Sequence, residues 1–363
     1  MSDTHTQTAS DADTDAEHTS EITRLGTLFS WTSIGFVLLC ACGLGMGLAY
    51  VFGVPIGGKR LLEGQYYWFF IGIFLAAAFI ALPARPHHRS VPIYDVIAAA
   101  VALGICMWFS THAWDIVQAG WTNFPAGVVL WVLMLEIARR SGGIPFLLVV
   151  LLLGLYPLVA DYFPGLLMGI PYSFERMIEA HVFRTEGLMG ITTKIVAEIV
   201  LGFLVFAGVL IATGAGQFFI DLANAGFGKY RGGPAKVSIV ASAFFGSLSG
   251  SIFSNIAGTG SITIPTMKKV GYPPHYAAAI EACASTGGVV MPPVMGAIAF
   301  VMAITIGVDY ATIMVAAILP SLLFYFGLIL QVDAYAARKG LVGMSQDKLP
   351  SAREVMKRGW PFL

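Results

Sequence analysis

The feature that most constrains this chain is a series of apolar runs, each close to twenty residues long. A helix needs about 20 mostly apolar residues to cross the hydrocarbon of a bilayer. Residues 29–52, 67–82, 93–109, 124–137, 144–159 and 195–212 read as such spans, the second and fourth lengthened by aromatic and polar flanks. Only 12% of residues are charged and 57% are hydrophobic, whereas a soluble domain is about 25% charged. That much apolar side chain exceeds what one soluble core can bury, so the expected fold class is an all-α polytopic membrane protein. The 21 basic and 21 acidic residues cancel, and net charge gives no reason to expect a nucleic-acid partner.

Basic residues in short loops set the expected orientation. Arg85 and Arg89 follow the second span, Arg139 and Arg140 the fourth, and the loop 111–123 has neither Lys nor Arg. This pattern places the N-terminus in the cytoplasm; Lys59 and Arg60 run against it. Residues 1–28 are polar and acidic, the wrong sign for a signal peptide, and read as a disordered cytoplasmic tail. Cys40, Cys42, Cys106 and Cys283 lie in apolar stretches without metal or redox spacing, and read as packing residues.

Residues 160–193 are more polar and read as an external loop with short interfacial helices. Residues 218–227, followed by Lys229, Arg231 and Lys236, are placed at the inner surface. The unusual segment begins at Val237. Residues 237–265 have apolar ends around a centre of Gly, Ser, Asn and Thr, and Lys268 and Lys269 follow. With Lys236 and Lys268 on one side of the membrane, this segment enters and returns as a re-entrant hairpin. The next apolar run, from Tyr276, is expected to break at residues 285–288 and again at Met291-Pro292-Pro293, then resume through 297–306. A further span covers 311–330.

Unsatisfied backbone groups cost several kcal/mol in lipid, so broken helices at membrane depth line cavities or pack against protein, and in secondary transporters they form the binding site. The hairpin tip offers Ser247, Ser249, Gly250, Ser251, Ser254, Asn255, Gly258, Thr259 and Gly260. Hydroxyl and amide oxygens suit a hard cation, and glycines let backbone approach an ion. The competing reading is close helix packing through small residues such as Gly246 and Gly250. Glu281 reads either as a proton or cation partner within the span or as a surface partner of Lys268 or Lys269. Lys194 and Glu198, four apart, suggest a local pair, and Glu136 suggests a structural partner of Arg139 and Arg140. His87, His88 and His275 read as exposed. No Ser/His/Asp set, HExxH, P-loop or GxGxxG is present, so no enzyme is expected.

Residues 246–274 (GSLSGSIFSNIAGTGSITIPTMKKVGYPP), 281–303 (EACASTGGVVMPPVMGAIAFVMA) and 214–236 (GAGQFFIDLANAGFGKYRGGPAK) resemble the tripartite ATP-independent periplasmic (TRAP) transporters, most closely the fused permeases that work with binding proteins of the TAXI type. The resemblance is strongest over 195–340 and implies sodium-driven import of a small organic acid through an elevator motion. The partner it implies is a periplasmic solute-binding protein, and the location a bacterial or archaeal inner membrane. It gives Ser249, Ser251 and Asn255 a sodium-site role. Ser285, Thr286, Gly287, Gly288, Met291, Pro292 and Pro293 inherit a place near the substrate. No cofactor is implied beyond sodium as coupling ion. The implied domains are the tail 1–28, a four-helix small-subunit-like unit 29–142, and the first half of a large-subunit-like transport domain, 143–363. The family's large subunit has two inverted halves and this chain shows one. It closes on Trp360-Pro361-Phe362-Leu363, the start of an apolar run, so the reading expects an incomplete C-terminus. The alternative is a sodium- or proton-coupled carboxylate or anion permease acting without a binding protein.

Overall fold

A computed structural model describes residues 31–55, 58, 60–84, 91–344 and 349–360. The tail 1–28, together with Lys59, Arg85, His87, His88 and Arg89, lies outside them. The described residues are helical and contain no strand. Six helical stretches are long and apolar enough to cross a membrane, as expected for an all-α polytopic membrane protein. The chain divides into two compact units, one up to Glu198 and one from Ile199 onward.

The first unit contains α1 (Trp31–Val51), α2 (Glu63–Ala81), α3 (Ile93–Thr111), α4 (Ala113–Ala119), α5 (Phe124–Leu155), α6 (Phe174–Val182) and α7 (Ile191–Ile195). Asn123 starts α5 by accepting from Ala126 N at 3.1 Å, satisfying one of the free donors of a first turn. Two separate spans were expected in 124–159. Two helical stretches form, consecutive within α5 and separated by a break at Gly143, which has φ 73° and ψ −175° and lies two residues before Pro145. Only glycine adopts that conformation without strain. Trp68, Cys106, Phe109, Leu130, Met177, Ile178 and Val182 form a buried core.

Polar pairs tie this unit together. The side chains of Arg140 and Asp95 are 3% and 0% exposed and pair at 2.8 Å. Arg140 also donates to Glu136 Oε1 at 2.8 Å and to Leu82 O at 3.1 Å. Arg139 donates to Glu136 and to Ala84 O. The two arginines therefore satisfy carbonyls at the end of α2, which have no helical partner of their own. The predicted local pair of Lys194 and Glu198 does not form. Lys194 Nζ bonds Glu63 at 3.2 Å, and Glu198 accepts from Tyr67 at 2.6 Å, so both partners are on α2. The cause is the π-turn Val196–Val200 that follows α7. It shifts the helical register, and Tyr66 Oη donates to Ala197 O at 2.7 Å.

The second unit contains α8 (Leu201–Ala212), α9 (Ala215–Phe227), α10 (Gly233–Ser249), α11 (Ile252–Asn255), the π-turn Ile256–Gly260, α12 (Ser261–Lys269), α13 (Pro274–Gly288), α14 (Ala297–Ile306), α15 (Tyr310–Lys339) and α16 (Ala352–Gly359). α10 is its spine and is buried along most of its length. It packs on α9, α13 and α15. Ala235, Ile239, Ala243, Met267, Ala277, Ala284, Tyr325 and Val332 share one core. Lys236 reaches Asp333 of α15 at 2.6 Å and Arg231 forks onto the same carboxylate.

Candidate functional site

The segment 237–265 folds as a helical hairpin. One arm is α10. The chain turns at Gly250 and Ser251, and the other arm runs through α11, the π-turn and α12. Gly250 has φ 58°, and a Cβ there would lie 2.0 Å from Met295 O. Both the turn and the close approach therefore require glycine. Ser251 caps the second arm by accepting from Ser254 N at 3.4 Å.

Of the two breaks expected after Tyr276, the one at Met291-Pro292-Pro293 forms and the one at 285–288 does not. Residues 285–288 are the last turn of α13, still helical, and the unwound stretch runs from Val289 to Gly296. The two glycines serve packing there instead of unwinding. A Cβ on Gly288 would lie 2.7 Å from Gly246 Cα, and one on Gly287 would lie 2.4 Å from the Phe324 ring. α10 and α13 thus cross backbone to backbone at Gly246 and Gly288. The unwound stretch contains Met291, Pro292 and Pro293, joined by a cis Pro292–Pro293 bond. It is held to the hairpin tip by Val294 N donating to Ser247 O at 3.0 Å. Tyr310 Oη donates to Pro293 O at 2.9 Å.

The predicted residues fall into two groups. Ser247, Ser249, Gly250 and Ser251 are at the tip, where the unwound stretch carrying Met291, Pro292 and Pro293 is tethered. Ser249 Oγ donates weakly to Ser251 O at 3.5 Å. Asn255, Thr259 and Ser285 lie deeper, fully buried between the arms and α13. Asn255 Nδ2 donates to Ser242 O at 2.9 Å, beside the glycine crossing. Gly260 is buried here too, its Cβ position 3.0 Å from Glu281 Cγ. Ser254, Gly258 and Thr286 are exposed; Thr286 Oγ1 donates to Ala282 O at 2.7 Å within its own helix.

At the centre of the deeper group is Glu281, 0% exposed. Ser238 Oγ donates to its Oε2 at 2.7 Å and Thr263 Oγ1 to the same atom at 2.5 Å. Ser242, Thr259 and Ser285 donate to Oε1 at 2.9, 2.5 and 3.4 Å. Of the two sequence readings of Glu281, the surface pair with Lys268 or Lys269 is therefore not the one that forms; both lysines are exposed. Sequence reasoning missed Ser238, Ser242 and Thr263. Their signal was spacing: Ser238 and Ser242, and likewise Thr259 and Thr263, are four apart, which on a helix makes one polar stripe.

The sequence that builds this site has counterparts among known proteins. Residues 129–363 match the family model of the tripartite ATP-independent periplasmic transporter, DctM component. The chain belongs to the TRAP transporter permease family. The chain is 34% identical over 156 residues to the uncharacterized protein y4mL of Sinorhizobium fredii, covering 43% of this chain and 36% of that protein. It is 34% identical over 159 residues to the C4-dicarboxylate TRAP transporter large permease DctM of Pseudomonas aeruginosa, covering 44% and 35%. It is 28% identical over 219 residues to the ectoine/5-hydroxyectoine TRAP large permease UehC of Ruegeria pomeroyi, covering 60% and 50%. The matched stretches thus span about a third to a half of these relatives. The family and the six apolar helical stretches together make this a multi-pass inner-membrane protein.

Proposed function

We propose that this TRAP permease is the membrane component of a secondary transporter that takes a small organic acid from a periplasmic solute-binding protein and imports it down a sodium gradient. The observation that carries this reading is the docking of the hairpin tip onto the unwound stretch 289–296, through Val294 N and Ser247 O and through Gly250 against Met295 O. Unwound backbone paired across two interrupted helices is how secondary transporters present carbonyls and helix termini to ion and substrate. Ser249, Ser251 and Asn255 are assigned to the sodium site, and Ser285 to Gly288 and Met291 to Pro293 to the substrate side. The donor set fits sodium, since hydroxyl, amide and carbonyl oxygens are ligands for a hard cation. Relatives named for C4-dicarboxylates, isethionate, ectoine and sialic acid support a small, polar, carboxylate- or sulfonate-bearing substrate. The 29–142 unit is assigned the small-subunit role and 143–363 the first half of the transport domain, moving as an elevator, with a TAXI-type binding protein as partner and the N-terminus in the cytoplasm.

The test is uptake of labelled organic acids into proteoliposomes, with the ligand-loaded binding protein outside and an inward sodium gradient present or absent. Uptake that needs both the binding protein and the gradient supports the reading. Uptake without the binding protein replaces it with a permease that acts alone. No uptake with a loaded binding protein refutes it.

A further inference from the structure

The Glu281 cage buries a carboxyl group with no basic side chain bonded to it among the described residues. A fully buried carboxylate is costly unless its charge is compensated. The basic side chains at the ends of the two hairpin arms are engaged elsewhere or exposed: Lys236 and Arg231 hold Asp333, and Lys268 and Lys269 are exposed. Among the described residues, the side chains that hydrogen-bond Glu281 are all hydroxyls.

Those hydroxyls also face more acceptors than they have protons. Each Ser or Thr has one to donate. Thr259 Oγ1 has Glu281 Oε1, Asn255 O, Asn255 Oδ1 and Ser242 Oγ all within reach, at 2.5, 2.8, 3.3 and 3.1 Å. The single proton of Ser242 is shared between Glu281 Oε1 and Thr259 Oγ1. That of Thr263 is shared between Glu281 Oε2 and Thr259 O. The cage is therefore rich in oxygen lone pairs, centred on a buried carboxyl group. A cation placed among these oxygens would meet those lone pairs and balance the carboxylate whenever it is ionised.

We propose that the Glu281 cage binds one monovalent cation, supplied as a sodium ion or as a proton, and that filling it fastens the hairpin to α13. The ligands are all oxygens, as a hard cation requires. They come from three segments: Ser238 and Ser242 from the first arm, Thr259 and Thr263 from the second, and Glu281 and Ser285 from α13. The π-turn Ile256–Gly260 lies at this level, and such turns recur at functional sites. The other titratable side chain packed beside the cage is Tyr325 of α15, whose hydroxyl is committed to Ala284 O at 2.9 Å. The proposal rests on the transporter reading for its purpose, but its chemistry stands apart from it and is located deeper than the tip serines Ser249 and Ser251.

The test follows thermal unfolding of the purified chain in detergent. Sodium chloride is exchanged for choline chloride at constant ionic strength, at one alkaline and one acidic pH. Stabilisation by sodium but not choline identifies sodium as the ion. Stabilisation by acid without a sodium response identifies the proton. In either case Glu281→Gln raises the half-saturating concentration by at least about tenfold, and Thr259→Val, which removes one ligand, weakens the response in the same direction. A wild-type chain with neither response overturns the proposal, as does a folded Glu281→Gln variant with the wild-type response. Where Glu281→Gln does not fold, an unchanged response in Thr259→Val overturns it. Ion-dependent stabilisation lost in Glu281→Gln, with no uptake under any gradient, refutes the transporter reading and leaves the cation site standing. Uptake without any ion-dependent stabilisation refutes the site alone.

Discussion

Substituting Gly246 by alanine tests whether the α10–α13 crossing is as close as the structure has it. The added Cβ would lie 2.6 Å from Gly288 Cα and 2.8 Å from Asn255 Nδ2. Carbon atoms rest about 3.5–4.0 Å apart, so the helices would have to separate by roughly 1 Å. The atom opposite is backbone, which cannot swing aside as a side chain would. Overpacking of this kind costs about 1–3 kcal/mol, and separating the helices also strains the Asn255 bond to Ser242 O. The control is Gly226 in α9, helical and with nothing within 4 Å of its Cβ position. Alanine there should be neutral or stabilising by up to about 1 kcal/mol, because glycine is the weaker helix former. The assay is thermal unfolding of both variants in the same detergent, followed by circular dichroism. Gly246→Ala should fall clearly below wild type, and Gly226→Ala should match or exceed it. Equal midpoints for Gly246→Ala and wild type would show that the crossing is wider than described, and the placement of Asn255 would fall with it.

Other perturbations act in the first unit. Asp95→Ala leaves Arg140 buried with only Glu136 as a charged partner, and should lower stability by about 3 kcal/mol, the lower end for a broken buried pair, read from the same melting curves. Tyr66→Phe strands the Ala197 carbonyl at the π-turn and should cost about 1–3 kcal/mol; a melting point equal to wild type would mean that water replaces the phenol. Burial lowers the pKa of His181 below its ordinary value. On acidification the unfolded chain is protonated first. The stability is therefore full above the unfolded-state pKa of about 6.5 and is lost as pH falls from there toward the folded-state value. His181→Gln should flatten that acid slope in a pH series of melting points.

The hairpin was legible because its signal is compositional. A stretch rich in Ser and Gly between Lys236 and Lys268 has few uses in a chain otherwise made of apolar spans. The docking of its tip was not legible, since it depends on Val294 reaching Ser247 across a turn whose register no local pattern specifies. Gly287 and Gly288 were read as a break because glycine marks two opposite things, backbone freedom and close backbone packing. Only the presence of Phe324 and Gly246 across the interface distinguishes them. Lys194 and Glu198 failed in a related way. Four-residue spacing predicts a pair on an ideal helix, but the π-turn at Val196 alters the spacing and α2 offers Glu63 and Tyr67 from 131 residues away.

The Glu281 cage shows where sequence spacing could have gone further. Ser238 and Ser242 look unremarkable within an apolar helix, and so do Thr259 and Thr263 in the next segment. Taken together, two i, i+4 polar pairs on consecutive helical segments joined by a tight turn place four hydroxyls on facing stripes once the segments pair as a hairpin. A lone glutamate on the following helix, in a span otherwise nearly free of charge, is the group those stripes would solvate. Each pair alone fits small-residue packing. The carboxylate separates the two interpretations, because packing has no use for a buried charge whereas an ion-binding cage does. Loss of the ion response on removing that charge, with the glycine crossing intact, would assign the cage to binding; its persistence would assign the same hydroxyls to packing.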